Sequence, residues 1–166
     1  MSSKFLSEDI LKKFHKEVID HVRESEQLVQ ALRRNGRDPE AFEQLGRHLH
    51  SLKGSAPIMG AKPISAIASE FEECVKAVKS SPNGAQDPIL EKFSDALQVI
   101  SRQIEQFVKK EEMESGADAI EALRSLMPAG KLLEGVLKHL EVHTPELLAA
   151  LGETHRHKLK DSLNSL

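Results

Sequence analysis

The chain has 166 residues, with 23 lysines and arginines against 26 aspartates and glutamates and a formal net charge of −3 at pH 7. That length suits one domain, or a domain with an extension, and can bury a substantial core without cross-links; the mild acidity leaves no global basic footprint for nucleic acid. Cys74 is the only cysteine, which excludes an internal disulfide and suits a reducing cytoplasm, and with no Trp or Tyr there are no such rings to stack on bases.

No apolar run is long enough to span a bilayer. The first residues, Met1 to Asp9, reach acidic side chains too early to resemble a secretory signal. The expectation is a soluble, cytoplasmic, helix-forming chain with a mostly aliphatic core.

Ser7 reads as an N-cap, followed by Glu8 and Asp9 at the positive end of a helix. Ile10, Leu11, Phe14, Val18, Val22, Leu28, Val29 and Leu32 then recur at helical spacing. Arg33 and Arg34 fall in the last turn, and Gly36 ends the helix. Asp38-Pro39 restarts the chain as N-cap and first helical residue. The second helix runs towards Met59, with Pro57 kinking or tightening its last turn.

Gly60 closes that helix, and Pro63 opens a third with Ile64, Ile67, Ala68, Phe71, Val75 and Val78 facing inwards. Ser80-Ser81-Pro82-Asn83-Gly84 is a loop by composition. Asp87-Pro88 repeats the start signal, with Leu90, Phe93, Leu97, Ile100, Ile104 and Phe107 as a fourth stripe. With no convincing strand alternation, the fold class predicted is all-α: an antiparallel four-helix bundle over residues 1–112.

Residues 109–116 read as a charged, flexible joint, and residues 113–166 as a C-terminal helical extension. In it Asp118 and Glu121 have the spacing of a capping box. Leu132, Leu133, Val136, Leu137, Leu140, Leu147, Leu148, Leu151, Leu159 and Leu163 follow on further segments. They suit a helical cap, or a surface for self-association or a partner.

The second helix carries the chemistry. At about 100° per residue, Phe42, Leu45, Leu49, Leu52 and Ala56 form its apolar stripe, and His50 stands well away from them. One turn before and after His50 are Gly46 and Gly54, with Arg47 and Lys53 at i−3 and i+3. Each glycine inside a helix costs on the order of 1 kcal/mol relative to alanine. Two of them beside one imidazole leave room for something large to approach, and the cations would attract an anion. Phosphate carried on an imidazole nitrogen fits both features, against the plainer reading of a surface histidine on a basic face.

His50-Ser51-Leu52-Lys53-Gly54-Ser55-Ala56, with Met59-Gly60 beyond, resembles the phosphorylation motif of histidine-containing phosphotransfer (HPt) domains, and is most similar to that of the amino-terminal domain of CheA-type chemotaxis kinases. The resemblance implies that His50 accepts a phosphoryl group on Nε2, that Lys53 helps to neutralise it, and that Glu72 on the next helix holds the Nδ1 proton. It implies docking of a receiver domain at Gly46, Arg47, Gly54 and Pro57. The partners implied are that response-regulator receiver and an upstream histidine kinase, with Mg²⁺ bound by the receiver and no cofactor on this chain. A second histidine of the CheA network falls on Ser69, where this sequence departs from the pattern.

His48 competes for the reactive role but lies near the edge of the apolar stripe without glycine clearance, as a boundary residue would. Cys74 has no neighbouring base to make it a nucleophile. His139, His143, His155 and His157 lack accompanying Cys-x-x-Cys or His-Glu-x-x-His spacing and read as solvated helix histidines rather than a metal site. No P-loop or Rossmann fingerprint offers a way to bind ATP, so the phosphoryl group must come from elsewhere. The alternatives are the phosphotransfer domain of a larger CheA-like kinase, and a non-catalytic helical adaptor.

Overall fold

Helix starts and stops follow local chemistry. The Ser7 hydroxyl accepts from the Ile10 amide at 3.3 Å and opens α1 (Glu8–Arg34), whose last turn holds Arg33 and Arg34. The Asp38 carboxylate accepts from the Glu40 and Ala41 amides and opens α2 (Pro39–Ile58). Then come α3 (Lys62–Lys79), α4 (Asp87–Lys109) and a short α5 (Ala117–Arg124). The computed structural model describes residues 7–127, so the leucine segments and histidines from residue 128 onwards lie outside the described residues.

Gly60 closes α2 by adopting φ +85°, which lets its amide reach the Pro57 carbonyl at 3.0 Å and the Ala61 amide reach the Ala56 carbonyl at 2.9 Å. These are the paired bonds of a left-handed helix end, which glycine reaches without steric cost. Pro57 sits in the last turn and has no N–H to offer the carbonyl of Lys53. The Ser65 hydroxyl of α3 donates to that carbonyl instead, at 2.9 Å.

Three starts and stops differ from the sequence expectation. Gln86, not Asp87, is the cap residue of α4, and no side chain bonds its first amides; the Asp87 carboxylate is drawn to Arg33 of α1 at 3.2 Å. Gly116, not Asp118, is the cap of α5, because the chain turns there at φ +69° with its α-carbon against Ile67, where a Cβ would collide with the Ile67 side chain. Gly36 lies beyond the end of α1 and serves close approach: its carbonyl accepts from the Ala85 amide at 2.7 Å, and a Cβ on it would run into the Ala85 carbonyl.

The four long helices form one closed ring of neighbours, α1 against α2 and α4, and α3 against α2 and α4. Their apolar stripes meet in one core, led by Phe14, Leu49, Phe71, Phe93, Leu97 and Ile100. Phe71 and Phe93 join α3 to α4 with ring centroids 4.7 Å apart. Over the described residues the fold is thus an all-α four-helix bundle, with α5 laid across α3 and α4. Ile10 departs from its stripe and stays 45% exposed.

The stretch expected to be a flexible joint is tied to α4. The Glu111 amide bonds the Gln106 carbonyl and the Glu114 amide the Gln106 side chain, each at 2.9 Å, while Gln103 Nε2 donates to the Glu114 carbonyl at 2.9 Å. The compact unit therefore passes the boundary expected at residue 112 and runs to Leu126, with Leu123 buried in the core. Among the described residues no helix is long and apolar enough to cross a membrane.

Candidate functional site

The apolar stripe of α2 faces the core completely: Leu45, Leu49, Leu52 and Ala56 are all fully buried. Helical geometry then sends His50 outward, and its side chain is 72% exposed. Gly46 and Gly54 leave open space beside it, since a Cβ on either would meet nothing within 4 Å. The ring stands at a groove of about 690 Å³ between α2 and α3, bordered by Gly46, Arg47, Glu72, Lys76 and Lys79.

From α3, Glu72 projects under the ring. His50 Nδ1 lies 3.2 Å from Glu72 Oε1, and Lys53 Nζ donates to Oε2 at 3.1 Å. Lys76, one turn along α3, places Nζ 3.2 Å from the same Oε1 that faces His50, and 2.9 Å from Glu73. Glu72 is only 7% exposed. Burial by itself pushes its carboxyl upward, but the hydrogen bonds from Lys53 and Lys76, the charge of Lys76 and the His50 contact outweigh that and hold it below the ordinary 4.5. Glu72 is therefore an ionised, acceptor-only group beside Nδ1.

The structure thus gathers His50, Lys53 and Glu72 into one hydrogen-bonded cluster, with Gly46 and Gly54 clearing the approach. Arg47 is exposed on the same side but is held by Glu43 at 2.6 Å rather than by the cluster. Pro57 is exposed two turns beyond His50, beside Ile58, which is 83% exposed. Lys76 is the member that sequence reading missed; its signal was its i+4 place relative to Glu72, which sets both on one face of α3.

His48 points to α1, not to the groove. Its Nδ1 lies 2.9 Å from His21 Nδ1, one ring donating and the other accepting, and its Nε2 is 3.4 Å from Glu24. Burial first, and then the neighbouring His21, lower its pKa below the ordinary 6.5, against an opposing pull from Glu24. Cys74 is fully buried, with its thiol directed at the Leu123 carbonyl at 3.5 Å and its pKa pushed up by burial to about 12. No group of three or more His, Cys, Asp or Glu that could hold a metal occurs among the described residues.

Comparison with known proteins agrees with this layout. The chain is similar to the chemotaxis protein CheA of Treponema pallidum (strain Nichols), 23% identical over 149 residues, which is 89% of this chain. It spans 18% of the length of that curated relative. The Hpt domain family model matches residues 9–102, more than half of the chain and the stretch that builds the four long helices. An outward histidine over a buried carboxylate on a four-helix bundle, together with that match, shows that the chain belongs to the Hpt domain family, whose work is phosphotransfer in two-component signalling.

Proposed function

We propose that this protein is a phosphorelay intermediate in which His50 accepts a phosphoryl group and exchanges it with an aspartate of a response-regulator receiver. The observation that carries the reading is the contact of His50 Nδ1 with the buried, ionised Glu72 at 3.2 Å, on a ring that is otherwise open to solvent. A carboxylate can only accept there, so the hydrogen stays on Nδ1 and the lone pair on Nε2.

In the transfer, the Nε2 lone pair attacks phosphorus and the bond from phosphorus to the receiver's carboxylate oxygen breaks. The electron pair leaves on that carboxylate. Nδ1 keeps its hydrogen throughout, and Glu72 offsets the positive charge that the ring gains. The reverse step returns the phosphoryl group by the same path. Lys53, already at the cluster, supplies a charge-assisted contact to the phosphoryl oxygens. Gly46 and Gly54 admit the receiver's loops, with Arg47 and Pro57 at the rim of the docking face. Any divalent cation belongs to the receiver, where most of the electrostatic stabilisation arises. An upstream histidine kinase and a cytoplasmic setting complete this reading.

A second reading, that the chain is the phosphotransfer region of a larger CheA-like kinase, is favoured by one observation. The similarity to the CheA protein extends over 149 residues, well past the stretch that the Hpt family model covers.

The test is a transfer assay from a panel of phosphorylated receivers, with His50→Gln and His48→Gln beside the wild type. Acid-labile, base-stable label is expected on wild type and His48→Gln and absent from His50→Gln. Label that follows His48 would move the reactive residue, and its absence from all three would favour a helical adaptor.

A further inference from the structure

Glu72 Oε1 is shared. It is approached by His50 Nδ1 at 3.2 Å and by Lys76 Nζ at 3.2 Å, while Oε2 is taken by Lys53 at 3.1 Å. One buried carboxylate is thus divided among three donors, two of them cations. The other charged groups around the ring are Lys79 of α3, and Arg47 on its own helix, which Glu43 holds. Glu73 lies on the far side of Lys76 and anchors it at 2.9 Å.

A carboxyl as buried as Glu72 has two states with opposite effects on the ring. Ionised, it accepts from Nδ1–H and leaves Nε2 bare. Protonated, it donates to Nδ1, which sends the ring hydrogen to Nε2 and blocks the nucleophile. Burial favours the protonated state, and nearby cations favour the ionised one. An ionised carboxylate with too few cations carries a second cost, because it draws a full proton onto the ring as imidazolium.

We propose that Lys76 is a positioning residue for His50: by sharing Glu72 Oε1 it helps to keep that carboxylate ionised while limiting its pull, so the ring hydrogen rests on Nδ1 and Nε2 is free. This deepens the phosphoacceptor reading and rests on it for its biological meaning. Lys53 also holds the carboxylate ionised, but from the opposite oxygen, so it is Lys76 that shares Oε1 with the His50 ring.

The test is ¹⁵N NMR of the His50 ring across pH in the full chain, for wild type, Lys76→Met and Lys76→Arg. The wild type is expected to hold the ring hydrogen on Nδ1. Lys76→Met should shift population to the Nε2–H form or to imidazolium, and Lys76→Arg should restore the wild-type spectrum. The transfer rate should fall in Lys76→Met by on the order of threefold to tenfold and recover in Lys76→Arg. An unchanged ring spectrum in Lys76→Met overturns the inference, even where the wild type takes up phosphoryl label. A wild type that takes no label overturns the phosphoacceptor reading, while the spectra still decide the role of Lys76.

Discussion

The Ser65 hydroxyl donates to the Lys53 carbonyl oxygen at 2.9 Å, across the α2–α3 interface and one turn past His50. Pro57 is the residue whose amide would otherwise have served that carbonyl, and proline has none. Ser65→Ala is expected to destabilise the fold by about 1–2 kcal/mol, the cost of an unmet acceptor. In a Pro57→Ala background, where an amide returns, the same change should cost much less. Urea denaturation of the four proteins checks this; equal losses in both backgrounds would show that the two residues are uncoupled.

Gly46 and Gly54 have nothing within 4 Å of a prospective Cβ. Alanine at either position should therefore raise stability, by about 0.5–1 kcal/mol each from backbone entropy. If a partner approaches His50 through this clearance, transfer from a receiver should fall as stability rises, most steeply for a bulky Gly54→Trp. Gains in stability with unaltered transfer would leave the glycines without a docking role.

The His21–His48 pair joins α1 to α2, and the His48 pKa is lowered from 6.5, chiefly by burial. A base with a lowered folded pKa binds fewer protons when folded than when unfolded, so stability is complete above 6.5 and is lost as pH falls towards the folded value. The melting temperature should thus drop on going from about pH 7.5 to about pH 5, and less so in His48→Asn. Parallel curves for the two proteins would remove His48 from the acid response.

Cys74, with its pKa near 12 and its side chain in the core, should resist thiol reagents in the native state. Labelling is expected only through opening of the α3–α5 contact, at a rate that follows denaturant. Rapid labelling in native buffer would show that α5 leaves the bundle readily.

Much of this protein was determined locally, by its sequence alone. Ser7, Asp38-Pro39 and Gly60 mark helix ends because caps act on amides and carbonyls within one turn. The outward place of His50 and its two glycines follows from helical period and from a stripe that had to be buried. Glu72 was reached by family resemblance and not by spacing, since nothing within α2 points to it.

Tertiary structure decided the rest. An apolar stripe fixes which face of a helix turns inward, but the rotation and axial offset of neighbouring helices settle which polar residues at the seams meet. That packing brought Glu72 and Lys76 under His50, set His48 on His21, and put Ser65 at the carbonyl orphaned by Pro57. It also overrode two plausible caps, because Arg33 drew Asp87 into an ion pair and Ile67 left room only for Gly116 at the turn into α5.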